Sequence, residues 1–452
     1  MMNNQRNTCP ILLYNPISGR GHLDGWLAMF AAILLQRGYT VYCLAPDTEA
    51  LLLRLRQRGL EQHPNLAILP WPCKEHAYNF WHTLVVRYVN RLECTRITPD
   101  MSFLRRCKKR LAQLLVPPAY TFFGTVRRSV RALKATTDNE AGFLSPDDWG
   151  RQIQNVLRTL PSDQYFLFNM YMDMYSTDQA SWQNFTRHCP LPWAGLRFIP
   201  EPKPREAYYT LPALRGMCFM DKALCQAYSA TLPEKSFACL PDVTDASLPP
   251  APPPAVQTIT ERAAGRKVVF MGGSIGGQKN IAQWRELIHR ADPQRFFFVQ
   301  VGEIHYNTCS QEEQNILHDL TSAPPENFFM HGEYLADERD FNACIAASDV
   351  IFAVYKNFRI SSNMPGKAAA FGKPILVSDR YLMGETVRRY GLGAAVPEDD
   401  TIAILAALER LIQTPPELEN FAAYNAAHNE EAMGRALEQF LDACMSGEQG
   451  RE

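Results

Sequence analysis

The feature that most constrains the chain is the stretch 350–379. An apolar run at 350–355 stops in the polar loop Lys356-Asn357-Phe358-Arg359-Ile360-Ser361-Ser362-Asn363. An alanine-rich segment follows, closed by Gly372, and a second apolar run occupies 374–377. Two short apolar runs joined in this way read as parallel strands linked by a crossover helix. The loop then lies at the carboxyl end of a strand and the start of a helix. The first helical N–H groups have no partners there and the dipole is positive, so phosphates bind at such places. An ordinary crossover with a polar turn would leave the same pattern.

The same grammar recurs along the chain. Residues 9–15 read as a buried strand, 16–25 as a glycine-rich turn, and 26–37 as a helix stopped by Gly38. The next strand is expected at 39–45, a helix at 48–57 and a third strand at 66–71, which begins a doubly wound sheet. A near-continuous proline run at 249–254 predicts a stiff linker. Beyond it come a strand at 267–271, the loop Gly272-Gly273-Ser274-Ile275-Gly276-Gly277-Gln278-Lys279-Asn280, a helix at 281–291 and a strand at 296–301 ending in Gly302-Glu303. A strand at 327–331, a helix at 337–348 and helices over 399–413 and 416–445 complete the pattern. With 452 residues the chain is too long for one core. The expected fold is α/β, with two Rossmann-like doubly wound domains facing across a cleft. The expected boundaries are 1–245, a linker at 246–258, a second domain at 259–430, and a terminal helix and tail at 431–452.

Composition narrows the partners. Lys and Arg total 46 against 47 Asp and Glu, a net charge of −1 that gives no footprint for nucleic acid. The 12 cysteines lack paired spacing, as in a reduced cytoplasmic protein. No signal peptide and no apolar run of membrane-spanning length stands out. One segment departs from the average. Residues 78–134 interleave aromatic and aliphatic side chains with a basic series that includes Arg87, Arg91, Arg105, Arg106, Lys108, Lys109 and Arg110. Such a segment suits an anionic membrane surface, giving a peripheral location on its inner face. A solvated insertion packed on its own domain fits equally.

Two glycine loops carry the candidate chemistry. The loop at 272–280 is not a Walker loop, because Gln278 separates the last glycine from Lys279. It still offers a backbone that can approach a phosphate at Gly273, Ser274 and Gly276, and a cation, Lys279, to neutralise it. The loop at 18–25 departs from the dinucleotide fingerprint: Gly19 and Gly21 fit, but the third glycine comes late, at Gly25. His22 stands at the expected helix start, where it could act on a substrate. Asp47, at the end of the second strand, keeps a dinucleotide enzyme open. No spacing of Cys, His, Asp or Glu suggests a metal, so neither metal nor cofactor is expected.

Two α/β halves that each open on a strand and a glycine-rich loop resemble the GT-B glycosyltransferases. The second half is similar to the family-4-like group, through Gly272-Gly273-Ser274 to Lys279, Ala347-Ser348-Asp349-Val350, and Ala370-Phe371-Gly372-Lys373-Pro374 continuing to Asp379. The match runs over 259–412; the first half joins it only through Gly19-Arg20-Gly21-His22. The resemblance implies a nucleotide-sugar donor in the cleft. Lys279 would pair with its diphosphate, and Ser361, Ser362 and Asn363 would meet phosphate or sugar hydroxyls. Gly19, Gly21 and His22 would face the transferred sugar, and Glu303 would lie on the donor wall. The group is metal-independent, and its members retain configuration. In one respect the chain differs. Alignment on Gly372-Lys373-Pro374 puts Arg359 and Lys367 where the group carries two glutamates. Neither cation can accept a hydrogen bond from a ribose hydroxyl, though both could clamp phosphate. The expected function is transfer of a sugar from a nucleotide donor to a glycan or lipid-linked acceptor, as in bacterial glycan biosynthesis. The alternative is a non-catalytic GT-B-like scaffold or partner in a glycan or secretion pathway, which the missing glutamates favour.

Overall fold

A computed structural model describes residues 9–18, 23–71, 144–162, 164–175, 179–335 and 337–446. The basic segment 78–134 and the candidates Gly19, Gly21 and His22 lie outside the described residues. The strands in chain order are β1 (Ile11–Tyr14), β2 (Val41–Ala45), β3 (Leu66–Pro70), β4 (Phe166–Asn169), β5 (Trp193–Leu196), β6 (Leu214–Phe219) and β7 (Ser236–Cys239). They form a seven-stranded sheet ordered β3-β2-β1-β4-β5-β6-β7. A second, six-stranded sheet is ordered β10-β9-β8-β11-β12-β13, from β8 (Lys267–Gly272), β9 (Phe296–Val301), β10 (Phe328–His331), β11 (Val350–Ala353), β12 (Ile375–Ser378) and β13 (Gly393–Val396). Pairing is parallel from β2 across to β7 and throughout the second sheet. The expected doubly wound α/β halves are therefore present. In each sheet the strand order reverses once, between β1 and β4 and between β8 and β11.

Helices cover both faces of the second sheet, so its strands must be apolar on both sides. In β8 the side chains alternate: Val269 and Met271 join Trp284, Leu287 and Phe298 on one face, and Val268 and Phe270 join Phe297, Ile345 and Ile351 on the other. This is why the strands read as continuous apolar runs. The proline-rich linker is shorter than expected. Its last proline opens the helix Pro254–Ala263, at the first helical turn, where no N–H is needed. The helix ends in left-handed Ala264.

The segment between the sheets is fixed to the second one by Lys367. Its Nζ is wholly buried and donates to the Asp245 carbonyl, to Glu338 Oε1 and to Asn342 Oδ1, each at 2.6 Å. Asn342 in turn donates to the carbonyls of Asp245 and Ser247. All three ammonium donors are used within the protein. The chain then crosses back. The helix Leu418–Ala427 packs against the helices of the second sheet, through Phe421 and Tyr424. The helix Glu430–Ser446 lays Met433, Leu437, Phe440, Leu441 and Cys444 into the core of the first sheet. Arg37 and Arg58 bind Glu431 and Glu430 at its start.

Among the described residues, 70–71, 144–161, 174–175 and 179–190 belong to a separate compact unit. Within it the helices Pro146–Leu157 and Gln179–His188 pack through Trp149 stacked on Phe185, ring centroids 4.5 Å apart, with Trp182 edge-on. Among the described residues no helix is long and apolar enough to cross a membrane.

Two substitutions test this architecture. Gly302 has φ +140, and a Cβ there would overlap the Gly273 carbonyl oxygen. Gly302→Ala is expected to cost roughly 3 kcal/mol in urea unfolding; a change below about 0.5 kcal/mol would refute the close approach. Lys367→Met keeps the volume but strips three acceptors of their donor. Its expected cost is also roughly 3 kcal/mol. An unchanged unfolding midpoint would show that the buried amine does not hold the segment.

Candidate functional site

The carboxyl ends of β8, β9 and β11 converge where the strand order of the second sheet reverses, the position at which open α/β sheets bind ligands. At the end of β8 the chain turns through Gly273 with φ +94. The Gly273 N–H donates to the Val301 carbonyl at 3.0 Å, and the Ile275 N–H to the Glu303 carbonyl at 2.9 Å. The first glycine loop is thereby laid along the end of β9. Residues Gly277–Lys279 form a short 3-10 turn, and Asn280 follows in the left-handed region with φ +58. The buried Asn280 amide donates to the carbonyls of Val354, at 3.2 Å, and Glu398, at 2.6 Å. The Lys356 N–H donates to the Gln278 carbonyl at 2.9 Å. The same loop is thus tied to the end of β11.

Lys279 sits at the junction. Its Nζ donates to the Gly272 carbonyl at 2.8 Å and to Tyr355 Oη at 2.6 Å, and lies 4.0 Å from the Tyr355 ring centroid. Both of these acceptors are neutral. Burial without a counter-charge pulls the amine down to about 7 from its ordinary 10.5. Burial also raises the Tyr355 phenol above its ordinary range, opposed by a hydrogen bond with the Ser362 side chain. Lys279 and Tyr355 therefore connect the two loops singled out in the sequence.

Ser362 also lines a cavity of about 680 Å³. Ser361 lies beside it and donates from Oγ to Asp242 Oδ2 at 2.8 Å. The walls come from the ends of β6 and β7, the connecting segment at Asp242, the Ser361–Ser362 loop, and Tyr390, Tyr424 and His428. A volume of this size suits a ligand of nucleotide-sugar dimensions. The Tyr424 and His428 rings stack with centroids 3.9 Å apart. Burial lowers the His428 pKa.

The candidates fall into three groups. Gly273, Ser274, Gly276, Lys279, Glu303, Ser361 and Ser362 come together around the ends of β8, β9 and β11. Asn363 precedes the helix Met364–Ala370, which begins beside them. Arg359 is exposed, its guanidinium 5.2 Å from the Tyr381 ring centroid. Lys367 corrects the expectation of a phosphate clamp, because its ammonium is inside the protein with every donor engaged. Reading the sequence missed four residues that build the site. Tyr355 looked like the end of a core strand. Asn280, Asp242 and Glu398 carried no motif. Glu398 accepts from the Asn357 N–H and from Ser378 Oγ, and so holds the start of the second loop. Among the described residues no group of three or more His, Cys, Asp or Glu side chains is placed to hold a metal ion.

No family model matches the chain, and no curated protein matches it by sequence. Solved structures do match it. A glycosyltransferase from Rickettsia africae aligns over 97% of this chain and 99% of its own with a TM-score of 0.59 at 12% identity. Sucrose-phosphate synthase from Thermosynechococcus elongatus aligns over 97% and 100% with a TM-score of 0.58 at 12% identity. A trehalose-6-phosphate protein from E. coli bound with UDP-2-fluoro glucose aligns over 96% and 99% with a TM-score of 0.57 at 12% identity. At such identities the likeness is one of fold. With its two parallel sheets, their order and the returning terminal helix, the chain has the GT-B glycosyltransferase fold.

Proposed function

We propose that the protein is a glycosyltransferase that moves a sugar from a nucleoside-diphosphate donor to a glycan or lipid-linked acceptor. The observation that carries this reading is the Lys279 amine on the Tyr355 hydroxyl, which joins the first glycine loop to the start of the second loop at the reversal of strand order. A diphosphate beside Lys279 would supply the counter-charge that its amine lacks. The leaving nucleoside diphosphate carries the negative charge that grows during transfer, and a fixed cation in a dry site stabilises it well. In this reading Gly273, Ser274 and Gly276 offer backbone to the phosphates, and exposed Arg359 is a second cation available to them. The reaction proceeds without a metal, so a chelator leaves the rate unchanged. In this reading the first sheet serves the acceptor, and His22 acts on the transferred sugar. The basic segment 78–134 brings the protein to an anionic membrane face, where a lipid-linked acceptor would be found. The E. coli structure with UDP-2-fluoro glucose makes uridine nucleotides the first donors to try.

Thermal melting with a panel of nucleotide sugars tests the proposal. One donor is expected to raise the melting temperature by several degrees, and Lys279→Ala to remove most of that shift. Absence of a shift with every donor would instead support the scaffold reading, which the burial of Lys367 at a glutamate position favours.

The titration of Lys279 gives a second test. Diphosphate binding favours the protonated amine, so above about 7 the donor must bring a proton with it. The donor Kd is expected to rise between pH 7 and 9, approaching roughly tenfold per unit, and the slope to vanish in Lys279→Met. Stability runs the other way. The folded pKa lies below the unfolded one, so the unfolded chain binds more protons between about 7 and 10.5. Over that window Lys279 makes stability rise with pH, and Lys279→Met should stabilise more at pH 6 than at pH 9. Equal effects at both pH values would refute a buried, uncompensated amine.

A further inference from the structure

The cavity of about 680 Å³ is set apart from the Lys279 loop by what lines it. Lys279, Tyr355 and the glycines of that loop are not among its walls. Volume alone admits several ligands, so charge and hydrogen bonding choose among them. Two lining residues carry a full charge, Asp242 and Lys222. Lys222 is exposed, at the start of the helix Lys222–Thr231. Asp242 accepts from Ser361 Oγ at 2.8 Å. After burial, the charge of Asp242 is what raises the Tyr424 phenol pKa, so the carboxylate stands near the aromatic wall. A ligand in this cavity therefore meets a fixed negative charge and no buried cation.

The aromatic wall has hydrogen-bonding capacity that the protein leaves unused. The Tyr424 and His428 rings are stacked 7° from parallel, and Tyr390 stands edge-on to both, with centroids 5.1 and 5.5 Å away. Tyr424 is 3% exposed, yet its hydroxyl has no hydrogen-bond partner among the described residues. Buried hydroxyls are as a rule paired, so this one points to a group that the chain itself does not supply. His428 Nδ1 lies 3.0 Å from the Tyr424 carbonyl, which can only accept. Nδ1 therefore carries the hydrogen, and Nε2 is left as an acceptor.

We propose that this cavity is a binding site for an uncharged saccharide, held by its hydroxyls on Asp242, Tyr424 and His428. A sugar hydroxyl both donates and accepts. It can give its hydrogen to the Asp242 carboxylate or to His428 Nε2, and accept one from the Tyr424 phenol. The C–H faces of the ring are apolar, and Phe237, Leu382 and Met383 offer them apolar surface. A phosphate has no hydrogen to give at neutral pH. It would face a carboxylate and an imidazole lone pair, which disfavours a nucleoside diphosphate here.

The site does not depend on the transfer reading, and calorimetric titration keeps the two apart. The full chain is titrated with maltose, cellobiose, lactose, N-acetyllactosamine and maltotriose, and the titration is repeated in the presence of UDP. At least one of these sugars is expected to bind with a Kd in the millimolar range or tighter, and UDP not to displace it. Tyr424→Phe keeps the ring and removes only the hydroxyl; it is expected to weaken binding about fivefold. Asp242→Asn is expected to weaken it about tenfold. Lys279→Ala is expected to leave saccharide affinity in place, whatever it does to a nucleotide donor. Absence of binding by every sugar at tens of millimolar would overturn the proposal, as would unchanged affinity in Tyr424→Phe. Displacement by UDP, or loss of affinity in Lys279→Ala, would place the sugar at the glycine loop and overturn it too. The wild-type titrations decide the matter even where a variant fails to fold.

Discussion

An ammonium group with two neutral acceptors, the Gly272 carbonyl and the Tyr355 hydroxyl, fixes the geometry of the site. To bring Lys279 there, the backbone must do things that side chains would forbid. Gly273 and Gly302 both take positive φ, and they touch where a Cβ could not fit. Asn280 must then turn the chain in the left-handed region, and its amide must satisfy two carbonyls from other elements. The loop is thus defined by backbone hydrogen bonds and close approach more than by its side chains. Such a loop can present N–H groups to a charged ligand without first reorganising, which is what makes preformed polar sites effective.

Most of the fold was legible from the sequence because parallel strands covered on both faces leave long apolar runs. Residues 267–271 and 296–301 were read as strands, and β8 and β9 occupy Lys267–Gly272 and Phe296–Val301. The linker was read too long, since a proline run looks the same whether it ends in an extended segment or in the first turn of a helix. At the site, glycine and lysine carried a pattern that phosphate chemistry explains, so the 272–280 loop could be singled out. Tyr355, Asp242 and Glu398 could not, because their partners lie far along the chain: Tyr355 meets Lys279, Asp242 meets Ser361, and Glu398 meets Asn357. Spacing within a segment records local geometry only.

Lys367 illustrates a different limit. Its place in the alignment invited a role toward a ligand, and two cations in place of two carboxylates suggested a matched pair. The structure separates them: Arg359 is exposed, whereas Lys367 is inside. A charge change at a single position says nothing about whether that position still opens to solvent. Here the amine serves the connection between the two sheets, which binds Asp245 and Ser247 to the second half.

The helix Glu430–Ser446 has a consequence for how the molecule is made. It completes the core around Phe168 and Leu13, residues that leave the ribosome hundreds of positions earlier. The first sheet must wait, with an open apolar face, while the whole second half is synthesised. An early sheet that depends on a late helix makes the two halves one folding unit in time, and the nascent first half is the stage most exposed to misassociation.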